Sequence, residues 1–446
     1  MKKKSIIIIS SRLIVVGFLL FFAIIFSCCE KEKEKEQDDT NVITPSARQL
    51  NTFTQGTAGF YYNPPTIVNN FIYIGTSRGS MYTPANDNYF FKLDVGLNKI
   101  WEYPLGNKEV RGAATLDPLG NIYFVVGERA STGQHSVLKL YSLDNDGNFR
   151  WSKNTSPYSM IAGMSNPAIS VDSIIYIGGD TLYAFDISGN MLWNYSPPGN
   201  IPNTPILNAP IIDPIGNIYF VFVNYVVSLD KNGIERWHYS SSETGEGLSS
   251  PAFSTDYSKI YLALYQTVYC LETINGNLVW KYNDPGMIGE YRATPAVDDN
   301  NIVYIGNHGI GGDGNQSLYA IKADGSGVLW KTTLGSDLYS SPALDNNRVL
   351  YVGSEGHGKT SSINNRLHAI DMVTGQIIWS AQLEVDVTFS SPAISNDGTL
   401  YIASMDMYFA NERGMVYSFN TNSTGLLPNA GSPRFHEGNA STGRRE

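Results

Sequence analysis

Cysteine is almost missing from this chain. Three occur in 446 residues: Cys28 and Cys29 side by side near the N-terminus, and Cys270 alone. That excludes a disulfide framework and a Cys-based metal site. The HExxH, GxSxG and CxxC patterns are absent too, so the usual zinc-protease, nucleophile-elbow and dithiol signatures have no carrier. Charged residues make up only 16 % of the chain, and helix-favouring runs of Ala, Leu, Glu and Lys are scarce. What is plentiful is Tyr (28) and Gly (42), with a hydrophobic content of 42 %. Such a balance suits short β-strands joined by turns.

The first residues form a targeting segment. "MKKK" and Arg12 supply a basic start, and Leu13 to Ser27 an apolar stretch. That stretch is shorter than the roughly 20 residues a membrane span prefers. It ends in "IFSCCEKEKEKEQDD", where Ser27 precedes Cys28. This resembles the lipobox of bacterial lipoproteins, which implies removal of residues 1–27 and a lipid on Cys28. An uncleaved helical anchor is the other reading, and both place the chain in a cell envelope. Without residues 1–27 the chain keeps 27 basic and 41 acidic groups, a net of −14, which argues against a nucleic-acid partner. Residues 28–58 read as an acidic, polar tether, since "EKEKEKEQDD" has nothing to pack. Acidic tracts after a lipid-bearing Cys also resemble surface-export signals.

The organising feature is an internal repeat. Trp101, Trp151, Trp193, Trp237, Trp280, Trp330 and Trp379 recur at spacings of 42 to 50 residues. Tyr73, Tyr123, Tyr176, Tyr219, Tyr261, Tyr304, Tyr351 and Tyr401 mark one strand in each of eight copies. The eighth copy lacks the Trp and ends in "SPRFHEGNASTGR". Each copy holds four short apolar-alternating runs separated by turn residues. One four-stranded sheet buries neither face alone, so the copies must stack. Units of this length predict an all-β, eight-bladed β-propeller of four-stranded antiparallel blades over residues 59–446, with each Trp packed between blades.

The copies "LYAFDISGNMLW", "LYAIKADGSGVLW" and "LHAIDMVTGQIIW" are similar to the pyrroloquinoline-quinone-like propeller repeat family. The resemblance implies the fold and little about function, because that fold hosts quinone dehydrogenases, assembly scaffolds and sugar binders. The dehydrogenases carry an adjacent Cys pair over their cofactor. The one pair here, Cys28-Cys29, lies at the anchor, so no cofactor is expected.

Alignment of the copies disposes of several tempting motifs. "GSEGHGKT", Gly353 to Thr360, fits the phosphate-loop pattern. A phosphate loop must open a helix, whereas this one lies between two strands of the seventh copy, so no nucleotide is expected at Lys359. His368 stands where sister copies have Tyr141, Tyr183, Tyr269, Tyr319 and Tyr417, and reads as structural. Cys270 occupies a small-residue slot and reads as a packed thiol. "DNDGN" resembles a calcium loop but lacks the distal Glu, and reads as a turn.

Two features point to a binding face. The loops between second and third strands are long in copies six, seven, eight, one and two, which are neighbours in a closed ring. They predict a raised wall on one face that includes Lys359. Three residues before the blade-opening Pro position stand Tyr62, Arg111, Met164, Leu207, Leu248, Arg292, Tyr339 and Phe389. Tyr62, Arg111, Arg292, Tyr339 and Phe389 suit a carboxylate, a sugar or a partner's side chain if they face the channel mouth; an orientation between blades is the other reading. His308 and His357, with Asp313 and Glu355 nearby, are weak metal candidates. These readings together predict a non-enzymatic, lipid-anchored envelope protein whose propeller face binds a protein or a glycan. The alternative is an enzyme, quinone-dependent or acting on polysaccharide.

Overall fold

A computed structural model describes residues 48–444, apart from 57, 61, 78–86, 130–135, 160–165, 198–207, 244–248, 288, 310–315, 356–364, 386, 388–389 and 406–413. Cys28, His357, Lys359 and Phe389, and most of the long-loop wall, lie outside the described residues. Eight antiparallel sheets follow one another along the chain and form an eight-bladed propeller. Blade 3 shows the unit: an inner strand Ala168–Ile169, a second Ile175–Gly178, a third Leu182–Phe185 and an outer Met191–Tyr195. The marker tyrosines lie on the second strands. Because successive strands reverse direction, inner-to-second and third-to-outer turns share one face, here the turn face. Second-to-third loops and blade-to-blade connections share the opposite one, the loop face.

Each seam between blades buries one apolar cluster. That of blades 3 and 4, for example, joins Leu182 and Ala184 to Phe220, Val227 and Leu229. The Trp residues lock the seams as expected. Each marker tyrosine of blades 3 to 7 sits against the Trp of its own blade, with centroids 5.6 Å apart for Tyr176 and Trp193. The indole N–H then donates to a carbonyl of the next blade's third-to-outer turn: Trp193 to Lys231 at 3.3 Å, Trp280 to Ala323 and Trp330 to Met372 at 2.9 Å. Under six of the seven indoles, all but that of Trp379, lies a turn glycine where a Cβ would crowd the ring. At Gly233 (φ 81°) a Cβ would lie 2.6 Å from Trp193 Cδ2.

One boundary is corrected. Residues 48–55 belong to the propeller and not to a tether. The strand Arg48–Gln55 pairs antiparallel with Gly414–Asn420, in register from Arg48↔Asn420 to Gln55↔Gly414, and is the outer strand of blade 8. An N-terminal strand therefore stands where the eighth copy's own outer strand is missing, and it joins the last blade to the first. Phe53 of this strand sits 5.1 Å from Phe91 and 6.4 Å from Phe60, both of blade 1.

The C-terminal segment runs through the centre of the ring. Backbone carbonyls of Ser432, Pro433, Asn439, Thr442 and Gly443 accept N–H groups of Val297, Leu344, Ile67, Ile169 and Ile212 at 2.6 to 2.9 Å. Ser432 Oγ accepts from Phe253 N at 2.7 Å, and Asn439 bonds Ile394 through its side chain. Seven of the eight inner strands are thus tied to one segment. Arg434, fully buried, donates to the carbonyls of Pro65, Pro392, Gly438 and Asn439. A buried guanidinium is tolerated only when its donors are used in this way.

Candidate functional site

The loop-face mouth of the channel is built by the residues that lead into each inner strand. Directly before the Pro position, or one earlier, stand Asn166, Asn208, Ser250, Thr294, Ser341 and Ser391. Their side chains link blade to blade. Ala209 N donates to Ser250 Oγ at 2.8 Å, Ser250 N to Thr294 Oγ1 at 3.1 Å, Thr294 N to Ser341 Oγ at 2.9 Å and Ser341 N to Ser391 Oγ at 3.1 Å. Asn166 takes Ala113 N in the same manner. Backbone N–H groups at a channel mouth have no strand partner, so a short hydroxyl or amide at this slot satisfies them. The recurring Ser, Thr or Asn ahead of Pro carries this belt, a signal that the Trp and Tyr periods overshadow.

Above the belt, Tyr62, Pro64, Arg292 and Tyr339 rim a shallow cup floored by Phe435 of the C-terminal segment. Tyr62 holds a left-handed backbone (φ 61°), an uncommon conformation for an aromatic residue. Arg292 is ion-paired through Nε with Glu290 Oε1 at 2.5 Å, and its guanidinium lies 5.9 Å from the Tyr339 ring centroid. His308 also lies against Tyr339, its ring tilted by 31° with centroids 4.5 Å apart, and Tyr339 Oη lies 3.1 Å from His308 Nε2. His308 Nδ1 is 3.2 Å from the fully buried Asp337 Oδ1, and that oxygen accepts Gly309 N at 2.9 Å. Asp337 and Glu355 exchange backbone bonds. The result is a connected arc: Glu290, Arg292, Tyr339, His308, Asp337.

Tyr62, Arg292 and Tyr339 are therefore brought together at the mouth, and Phe389 lies outside the described residues. Arg111 is not among the residues that line the cup. It is an ion-pair partner of the buried Glu109, beside Gly127 of blade 2's second strand. Blades 2 and 6 share this device: the short strands Glu109–Val110 and Glu290–Tyr291 pair with the second strand and set an Arg two residues after a Glu. Arg292, with more of its side chain exposed, is the one that reaches the cup.

Other singled-out residues have packing roles. His368 is buried between Ser354 Oγ (3.0 Å) and Ser380 Oγ (2.8 Å), and burial holds its imidazole down at about 3. Burial pushes the Cys270 thiol up to about 12. After Glu355 the chain passes outside the described residues and resumes at Asn365, ahead of the strand Arg366–Asp371. No group of three or more His, Cys, Asp or Glu poised for a metal occurs among the described residues.

The quinone that the repeat family suggests can be tested against this mouth. The cavity at the cup is about 30 Å³, against roughly 300–1,000 Å³ for a small-molecule site, and the one lining guanidinium is already ion-paired. The described residues do not fit a multi-ring quinone, and no chemistry is derived through one.

Comparison with known proteins agrees with the architecture. A family model described as the outer membrane protein assembly factor BamB matches residues 134–309 and 265–442. A tetrathionate hydrolase of Acidithiobacillus ferrooxidans is 24 % identical over 255 residues, which is 55 % of this chain and 43 % of that protein. The chain thus spans less than half the length of this curated relative. Among solved structures, BamB from Moraxella catarrhalis aligns over 84 % of this chain and all of its own, with a TM-score of 0.60 and 16 % identity. Quinohemoprotein alcohol dehydrogenase from Comamonas testosteroni aligns over 88 % and 79 %, with a TM-score of 0.64 and 14 % identity. At such identities the structural likeness speaks for the fold alone.

Proposed function

The chain belongs to the family of the outer membrane protein assembly factor BamB, and on that premise we propose that it is a non-enzymatic scaffold of the cell envelope, held by a lipid on Cys28. Its loop face receives an envelope protein or a glycan at the cup of Tyr62, Arg292, Tyr339 and Phe435. The observation that carries this reading is the filled channel. The chain's own C-terminal segment takes the axial space, and what is left is a shallow rim of aromatics beside an arginine. Such rims anchor partners well: rigid rings give contact area at low entropic cost, and a guanidinium adds directional bonds. Phe389 and Lys359 belong to this face on the repeat alignment, and Arg111 supports it from blade 2.

The test is an Arg292→Ala, Tyr339→Ala double variant of the full chain, cross-linked in native membranes. The expected result is loss of a partner that the wild type retains, with unchanged melting temperature. Equal cross-linking by both proteins would remove the cup from the binding surface. The tetrathionate hydrolase match favours a second reading, an enzyme using the His308–Asp337 pair beside Tyr339. Tetrathionate turnover by purified protein that is lost in His308→Ala would establish it and overturn the scaffold.

A further inference from the structure

The repeat contains its own control for one buried hydroxyl. In four blades the marker tyrosine donates to an aspartate of the inner-to-second turn: Tyr123 to Asp117 Oδ2 (2.7 Å), Tyr219 to Asp213 Oδ2 (3.0 Å), Tyr304 to Asp298 Oδ2 (3.1 Å) and Tyr351 to Asp345 Oδ2 (3.0 Å). In blade 8, Tyr401 reaches the Val95 carbonyl instead. Serine stands at that position in blades 3, 5 and 8, as Ser170, Ser254 and Ser395. Ser170 replaces the aspartate and uses its Oγ to accept Ile174 N at 3.1 Å. Tyr176 is completely buried, and the Ser170 side chain is the hydrogen-bonding group beside its Oη, at a geometry short of a well-formed bond. A buried hydroxyl without an acceptor costs about 1–3 kcal/mol.

At that same place the turn face opens into a pocket of about 380 Å³, within the ordinary range for ligand sites. Tyr176 forms part of its wall, with Ile212, Pro214 and Ile215 as an apolar side and Lys231 and Arg444 as cations. The Arg444 guanidinium is fixed there by Nε donating to the Ile169 carbonyl at 3.1 Å. Two carboxylates share the wall with these cations: Asp213, whose oxygens accept Tyr219, Asn217 and backbone N–H groups, and Asp172. Val171 and Ile215 at the rim are 66 % and 79 % exposed, so the apolar wall continues outward.

We propose that this pocket binds an acidic group on an apolar body, its carboxylate accepting the Tyr176 hydroxyl as the aspartates do in blades 2, 4, 6 and 7. The acid has two possible sources, a small apolar carboxylic acid or the C-terminal residue of a protein. Burial keeps the phenol protonated, its pKa pushed up to about 12, so it acts as a donor. The site lies on the face opposite the cup and is independent of it.

The experiment titrates the full-length protein in detergent with 3-phenylpropanoate, its amide, and acetyl-Gly-Phe with a free or an amidated C-terminus, read by ligand-observed NMR and calorimetry. Acids should bind at least about tenfold more tightly than amides, the worth of one charge-assisted bond. Ser170→Asp, which restores the sister-blade aspartate, should abolish the preference while leaving the melting temperature equal or higher. Tyr176→Phe should lose the preference too. The ratio of free acid to peptide affinity identifies the source. Equal binding of acid and amide by the wild type, absence of binding by every probe, or full acid preference in Ser170→Asp would overturn the proposal.

Discussion

Between blades 3 and 4 the seam is made by the repeat itself: Trp193 lies over Gly233 and donates to the Lys231 carbonyl. Between blades 8 and 1 no such pair exists. There the outer strand comes from the other end of the chain, and Phe53 bridges to Phe60 and Phe91. A third tie, the C-terminal segment, crosses seven inner strands at once. Local seams hold pairs of neighbours, while the two termini hold the ring. The two kinds of contact should fail differently.

The largest expected effect is at the closing seam. Deleting residues 48–55 leaves the strand Gly414–Asn420 as an open edge and uncovers the apolar cluster of blades 8 and 1. We expect loss of the single cooperative melt and a tendency to self-associate, measured by circular dichroism and size-exclusion chromatography. Trp193→Ala, by contrast, should cost about 2–3 kcal/mol, below the roughly 3–5 kcal/mol of a fully buried aromatic, and leave the ring closed. Equal damage from both changes would end the distinction.

Acid provides a second, smaller way to separate them. His436 lies in the C-terminal segment with Nε2 3.1 Å from the Pro210 carbonyl, and burial holds it down at about 4. His368 lies in a repeat strand, held down at about 3 by burial. An unfolded histidine takes up its proton near pH 6.5, so both groups favour the unfolded chain as pH falls below that value. Their stabilisation is complete above pH 6.5 and is lost toward the folded values, at about 1.4 kcal/mol per pH unit for each group. Urea titrations between pH 6.5 and 4.5 should show this slope. His436→Gln should remove about half of it, and His368→Tyr, the sister residue, the other half. A slope that neither change alters would place the acid sensitivity elsewhere.

These contrasts also show what was legible in the sequence. The Trp and Tyr periods announce eight blades because each large ring must fill the same slot. The closing strand "RQLNTFTQ" announces nothing. It covers a blade on one side only, Leu50 is 49 % exposed, and its partner lies more than 350 residues away. The axial segment is hidden for a different reason. Arg434, His436, Glu437 and Ser441 are buried but polar; Arg434 and His436 bond backbone carbonyls and Glu437 accepts the Ser432 hydroxyl, so no apolar pattern marks them. At the cup, aligned copies brought Tyr62, Arg292 and Tyr339 to one rim. Arg111, paired with Glu109 as Arg292 is with Glu290, is the more buried of the two and is not among the residues lining the cup.

The smallest effect is the most diagnostic for the repeated seam. Gly233 and Gly216 both have positive φ, 81° and 90°, and both sit in turns of blade 4. They differ in what a Cβ would meet: Trp193 Cδ2 at 2.6 Å for Gly233, and Lys231 Cβ at 3.5 Å for Gly216. Alanine at Gly216 should carry the backbone term alone, about 1 kcal/mol. Alanine at Gly233 should carry that term plus displacement of the indole from its hydrogen-bonded position, about 2–3 kcal/mol in all. In a Trp193→Ala background the second term has no object, and Gly233→Ala should fall to the Gly216→Ala value. The coupling, about 1–2 kcal/mol by a double-mutant cycle in urea, measures the seam contact directly. Additive effects would mean that the indole relaxes freely and that the apolar cluster beneath it, Leu182 and Ala184 against Phe220 and Leu229, holds the two blades without it.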